Sequence, residues 1–275
     1  LHAAAARPAR HAAGPASVPP ALPAGLTRQV VRWAQDGVAR QYVEIAPAGQ
    51  TGPLPLVVVL HGWRQTPWVA ERIQGWDAQA RAHHLLLAYG AGYAGSWNAG
   101  NCCGLAAAHG IDDMAYLDGL LRRAQSRHPV DPRRIYLVGF SNGGMLAYRY
   151  ACSHAELLAG IAVVAAALAV PDCRPSRPVA VLDVQGAADR TVPSAGSAFS
   201  QVLHAPTRSV AASLLPWRRR DAGTPGLVRL VSLPHLAHTW PTRADGGYDA
   251  APAIWSFLAG HPAGPPPRAA TAGAA

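Results

Sequence analysis

The chain has 275 residues, half of them hydrophobic and 14% charged, which suits one large α/β domain with a buried core and excludes a chain disordered throughout. Its net charge of +9 is carried by arginine, with no lysine. The arginines are scattered apart from Arg218-Arg219-Arg220, with no basic stripe carrying interleaved aromatics, so no nucleic-acid partner is expected. The longest apolar stretch, residues 157–170, is broken by Gly160 and stopped by Pro171, so no membrane span is expected either.

Residues 1–25 are rich in Ala, Pro and Arg without periodicity and read as a disordered leader or linker. The catalytic domain is expected over 26–262, and residues 263–275, rich in Pro and Ala, as a disordered tail. Gln41-Tyr42-Val43-Glu44-Ile45 alternates as an outer strand does. Pro55-Leu56-Val57-Val58-Val59-Leu60 is a continuous β-branched run, the mark of a strand buried on both faces of a mainly parallel sheet. It leads into His61-Gly62-Trp63-Arg64-Gln65, a helix-compatible stretch over 66–84 and a short strand over 85–89. A long glycine-rich loop over 90–110 holds Trp97-Asn98 and Cys102-Cys103; loops of that length are often functional. Asp112 and Asp113 read as N-caps of a helix carrying Leu117, Leu120, Leu121 and Ala124.

Further along, strands are predicted over 134–140, 158–166, 178–184 and 227–233. Helices are predicted after Ser141, over 209–219 and over 249–259, the last with Ile254, Trp255, Phe257 and Leu258 inward. Strands alternating with helices argue for one doubly wound α/β domain.

Four cysteines with no Cys-x-x-Cys fit no zinc pattern, and no metal site is expected. Adjacent cysteines make an uncommon link, so Cys102 and Cys103 are expected to pair with Cys152 and Cys173, in either order, in an oxidising compartment; four buried thiols are the alternative. The chain begins at Leu1 without a signal peptide, as either a mature secreted form or a trimmed one would.

The chemistry centres on Gly139-Phe140-Ser141-Asn142-Gly143. An apolar strand enters Gly-x-Ser-x-Gly and a helix leaves it, the pattern of a nucleophile elbow. A serine hydroxyl needs an adjacent base, itself oriented by a carboxylate. In α/β-hydrolases these follow in the order Ser, acid, His. Ser141, Asp189 and His238 have that order, and each follows a predicted strand. Asp183 competes with Asp189 but lies inside its strand; His235 competes with His238, and the two could also be read as a metal pair. The backbone N–H groups of Asn142 and Trp63, with Gly62 as substitute, are the candidate oxyanion donors. His61 is expected to shape the turn after its strand and, with Trp97 and Trp240, to border the substrate cleft. Trp63, Trp68 and Trp97 could form an aromatic cleft or pack in the core.

These residues resemble secreted esterases grouped with polyhydroxybutyrate depolymerases and feruloyl esterases. The resemblance runs through Leu60-His61-Gly62-Trp63-Arg64-Gln65, Trp97-Asn98-Ala99-Gly100-Asn101-Cys102-Cys103-Gly104, the elbow, Tyr148-Arg149-Tyr150-Ala151-Cys152, Gly186-Ala187-Ala188-Asp189-Arg190-Thr191-Val192-Pro193 and His238-Thr239-Trp240-Pro241. It covers residues 41–262. It implies an α/β-hydrolase fold, a nucleophile at Ser141, acid Asp189, base His238 and an oxyanion donor at Trp63. The implied partner is an ester, either a polyester or a plant cell-wall phenolic or acyl ester, acted on without a cofactor by a secreted, extracellular or periplasmic monomer. The chain departs from the family at Leu236-Ala237, usually glycines, at Asp183, usually histidine, and in a shortened segment over 220–227. An inactive hydrolase-fold binding protein and a serine peptidase are the alternatives.

Overall fold

The computed structural model describes residues 18–221 and 226–264. Its main sheet is built on the apolar run predicted from the sequence: β3 (Leu54–Leu60) is buried along its whole length. Successive side chains of a strand point to opposite faces. Leu56, Val58 and Leu60 therefore enter one core cluster and Val57 and Val59 the other. The same alternation sends Ile135 and Leu137 of β5 (Val130–Phe140) to the first cluster and Tyr136, Val138 and Phe140 to the second. Each such side chain contributes roughly 1.5–3 kcal/mol by leaving water, before the entropy of ordering the chain is subtracted.

The remaining strands are β1 (Leu26–Gln35), β2 (Val38–Pro47), β4 (Leu86–Gly90), β6 (Gly160–Val164), β7 (Ala180–Gly186), β8 (Ser197–Ser200), β9 (Ala205–Thr207) and β10 (Val228–Leu233). The sheet order is β1-β2-β4-β3-β5-β6-β7-β10, with β8 and β9 forming a separate antiparallel pair. From β4 to β10 every pairing is parallel; β1 and β2 join antiparallel. The predicted outer strand over 41–45 is thus the middle of β2, and β1, which the sequence reading does not separate, is the edge.

The helices are α1 (Pro67–Gln74), α2 (Trp76–His83), α3 (Gly104–Ala108), α4 (Asp113–Arg127), α5 (Asn142–Ser153), α6 (Val210–Arg220) and α7 (Ala250–Ala259). Buried residues of α1, α2 and α7 share one core cluster; those of α4, α5 and α6 share the other. This is the predicted mainly parallel sheet with helices on both faces. The stretch predicted as one helix over 66–84 breaks at Gly75, whose φ of 74° ends α1 and begins α2. Of the two predicted caps, Asp112 accepts the Ala115 N–H at 2.9 Å. Asp113 instead is buried, pairs with Arg40 and accepts the Asn98 N–H at 2.7 Å.

Of the expected leader, residues 1–17 lie outside the described residues, while the carbonyls of Val18 and Pro20 accept hydrogen bonds from Arg72 and Arg28. Residues 265–275 of the expected tail and 222–225 of the shortened segment also lie outside them. No helix among the described residues is long and apolar enough to cross a membrane.

The expected disulfide pairing is corrected by the structure. Cys152 bonds to Cys173, and Cys102 bonds to its neighbour Cys103. The reason is distance along α5. The Cys103 N–H bonds to the Trp97 carbonyl, and Trp97 is tied to Asn142 at the first residue of α5. Cys152 lies ten residues further on, about 15 Å along the helix axis, beyond disulfide reach. The chain returning from β6 brings Cys173 to that end instead, with Cα atoms 4.9 Å apart. Closing this 21-residue separation stabilises the fold by about 3 kcal/mol in the chain-entropy description. The double substitution Cys152→Ala, Cys173→Ala should lower the unfolding free energy by that amount in urea; an unchanged midpoint would mean the bridge contributes nothing.

Candidate active site

The sheet's connections reverse direction between β3 and β5, since β3 leads outward to β4 on one side and β5 onward to β6 on the other. Open α/β sheets place ligands in the crevice beyond the strand ends at such a switch point. Here that crevice is framed by the turn after β3, residues 61–65, and the elbow after β5.

The elbow is held by close packing of its glycines. A Cβ on Gly139 would sit 2.3 Å from the Gly143 carbonyl oxygen, and one on Gly143 would sit 2.4 Å from the Leu60 oxygen. Only hydrogen fits at either position, so β5 can turn sharply into α5 against β3. Ser141 between them has φ 52° and ψ −120°, a conformation costly for a residue with a side chain. The Ser141 N–H is held by the Val164 carbonyl at 2.8 Å.

Ser141 Oγ lies 2.9 Å from His238 Nε2, and His238 Nδ1 lies 2.8 Å from Asp189 Oδ2. Asp189 is buried, and its other oxygen accepts the N–H groups of Thr191 and Val192, both at 2.8 Å. The carboxylate is thereby fixed with one oxygen turned to the imidazole. The His238 loop is seated by small residues: a Cβ on Gly186 would be 2.2 Å from the Leu236 oxygen, and Leu236 O accepts the Ala188 N–H at 3.0 Å. Phe140 packs against the imidazole, ring centroids 5.3 Å apart.

The two competing residues lie elsewhere. His235 is exposed and outside this hydrogen-bonded chain. Asp183 is fully buried in β7 and accepts the Tyr148 hydroxyl at 2.7 Å. Burial pushes the Asp183 carboxyl up to about 7. The unfolded chain would release that proton near pH 4, so the protonated carboxyl favours the fold at acid pH and this contribution is lost as the pH rises through about 7. Asp183→Asn removes the titration and keeps an acceptor for Tyr148. The melting temperature of that variant relative to the unsubstituted chain should gain more at pH 8 than at pH 5; equal shifts at both would show that the carboxyl does not titrate there.

Two backbone amides, one at the elbow and one in the turn after β3, are without a hydrogen-bond partner among the described residues. Asn142 is the first residue of α5, so its N–H has no partner within the helix. In the turn after β3, Gly62 N–H goes to Gln65 Oε1, Arg64 N–H to Gly95 O and Gln65 N–H to Gly62 O. That pattern leaves the Trp63 N–H. The Asn142 side chain is tied to Trp97 at both ends, its Oδ1 accepting the Trp97 N–H at 2.8 Å and its Nδ2 donating to the Trp97 carbonyl at 2.9 Å.

The cleft over Ser141 encloses about 480 Å³. Its walls are Trp63, Arg64, Gln65 and Phe140 on one side, and Thr191 with the β8–β9 hairpin residues Gln201, Val202, Leu203 and His204 on the other. The three residues expected to border it are buried and take no part in its lining. His61 is buried, accepts the Gly92 N–H on Nε2 at 3.0 Å and donates from Nδ1 to the Gly62 carbonyl at 2.8 Å. It is therefore neutral, with burial pushing its pKa down to about 4. Trp97 is buried and donates its indole N–H to the His61 carbonyl at 2.9 Å. Trp240 is buried in the core. A sequence shows that a residue is tryptophan but not whether it lies over or under a cleft. Gln65 and the hairpin were missed: the first is an ordinary polar residue, and the second is too short and exposed to carry a strand pattern. Among the described residues no group of three or more His, Cys, Asp or Glu could hold a metal ion.

A family model described as phospholipase/carboxylesterase matches residues 107–215, which include Ser141 and Asp189. NocK of Nocardia uniformis subsp. tsuyamanensis, an esterase by designation, is 36% identical over 153 residues, covering 55% of this chain and 44% of that protein. Feruloyl esterase B of Piromyces equi is 35% identical over 113 residues, covering 39% of this chain and 20% of that protein. The chain thus spans less than half the length of either relative. Among solved structures, an S-formylglutathione hydrolase from Staphylococcus aureus superposes with a TM-score of 0.58 at 13% identity, covering 87% of this chain and 100% of that one. The chain has the α/β-hydrolase fold and is similar in sequence to esterases.

Proposed function

We propose that this chain is a serine carboxylic ester hydrolase acting through an acyl-enzyme. The observation that carries the reading is the hydrogen-bonded series Ser141–His238–Asp189 opening onto a cleft. Ser141 Oγ attacks the ester carbonyl while His238 Nε2 takes its proton; His238 then gives that proton to the departing alcohol. Water, deprotonated by the same imidazole, attacks the acyl-enzyme, and the acid and free Ser141 are released. Asp189 holds the imidazole with its proton on Nδ1 and stabilises the imidazolium. The amides of Asn142 and Trp63 hold the oxyanion, where fixed donors contribute most because the charge develops there. The chemistry is supplied by side chains and backbone alone.

The disulfide between Cys152 and Cys173 supports action outside the cytoplasm. The proposed substrates are polyesters or plant cell-wall phenolic and acyl esters, with Ser141-Asn142-Gly143-Gly144-Met145 leaning to the phenolic side. The test is hydrolysis of methyl ferulate, acetylated xylan, a polyhydroxybutyrate suspension and aminoacyl amides, side by side. Turnover of one or more of the three esters above the amides is expected. Turnover of amides alone would replace the reading with a peptidase, and turnover of none would contradict it.

A further inference from the structure

We propose that Arg64 forms an anion subsite in the cleft, so that the preferred esters carry a carboxylate a few bonds from the scissile carbonyl. The inference rests on the esterase reading and adds the substrate's charge to it. Arg64 follows Trp63, whose amide is the proposed oxyanion donor, and it lines the same cleft as Ser141. Its backbone has φ 62°, the left-handed region in which glycine would be unstrained. Arg64 N–H bonds to the Gly95 carbonyl at 2.7 Å, and Gly95 packs onto the turn so closely that a Cβ there would lie 3.2 Å from the Gln65 carbonyl oxygen. The turn thus fixes where the side chain starts. A strained residue kept at a site is a pointer to use, and three of the seven non-glycine residues with positive φ among those described, Arg64, Ser141 and His204, line this one cleft.

The charge balance gives the sign. The guanidinium has no hydrogen-bond or ion-pair partner among the described residues, and the cleft lining contains no carboxylate. The acid of the site, Asp189, is buried and engaged by His238, Thr191 and Val192. His204 adds a second nitrogen donor from the hairpin opposite. A planar guanidinium suits a carboxylate, which it can bind with two parallel N–H···O bonds, and a cleft of one sign raises the encounter rate of oppositely charged substrates.

The test compares isosteric pairs in a pH-stat: monomethyl adipate against methyl hexanoate for a carboxylate on the acid side, and 6-acetoxyhexanoate against hexyl acetate for one on the alcohol side. At low salt, the charged-to-neutral ratio of kcat/KM should fall about three- to fivefold in Arg64→Gln for one pair, the size expected of a solvent-exposed ion pair. It should also fall in the unsubstituted chain as salt is raised. Arg219→Gln, on α6 outside the cleft, makes the same change in net charge and should keep the original ratio. Equal loss on charged and neutral esters, the same shift from Arg219→Gln, or an unshifted ratio for both pairs would each overturn the subsite while leaving the esterase reading standing. Hydrolysis of no ester in the set would overturn both.

Discussion

Ser141→Ala should lower turnover of a 4-nitrophenyl ester by about 10⁴-fold or more. The size follows from the mechanism, because without Oγ there is no acyl-enzyme and the remaining groups can only assist direct attack by water. The substitution is also a clean one structurally. Alanine keeps the Cβ that the elbow already accommodates at φ 52°, and the backbone bonds of Ser141 to Val164 and Met145 do not involve the hydroxyl. The variant should therefore fold, with an unchanged melting temperature as the check, and its lost activity can be assigned to chemistry. Activity within tenfold of the unsubstituted chain would rule out Ser141 as nucleophile.

Asp189→Asn should cost nearly as much, about 10³- to 10⁴-fold, for a less direct reason. Two backbone N–H groups, from Thr191 and Val192, converge on Asp189 Oδ1. In the variant those donors must be met by the amide oxygen, since an NH₂ there would leave them facing another donor. The amide NH₂ is then turned toward His238 Nδ1, the position now held by Oδ2. An imidazole that accepts on Nδ1 carries its proton on Nε2, and Nε2 can no longer take the proton of Ser141. The loss should appear in kcat and should be recovered in part at high pH. A loss confined to KM would instead assign Asp189 to substrate binding.

How much of this was legible beforehand depends on the kind of residue. The buried strands announce themselves as runs such as Leu56-Val57-Val58-Val59-Leu60, because a strand covered on both faces has no polar positions to interrupt it. The elbow was readable because steric closeness admits only glycine at 139 and 143. Ser141, Asp189 and His238 could be nominated because each follows a recognisable strand in the order Ser, acid, His. Their mutual distances could not, being set by loops such as 234–238 that pack on Gly186. The cysteine pairing was misread, since rarity of adjacent links says nothing of the length of helix separating Cys103 from Cys152. Cleft walls were the least legible: burying His61, Trp97 and Trp240 while exposing Arg64, Gln201, Val202 and His204 is decided by packing between distant segments.

Labelling with a fluorophosphonate probe tests the central claim most directly, because it asks whether Ser141 is an activated nucleophile whatever the natural ester proves to be. The account predicts one adduct per chain, mapped by mass spectrometry to the peptide carrying Ser141, slowed in Asp189→Asn and absent in Ser141→Ala. An unlabelled chain, or an adduct that persists in Ser141→Ala, would contradict it.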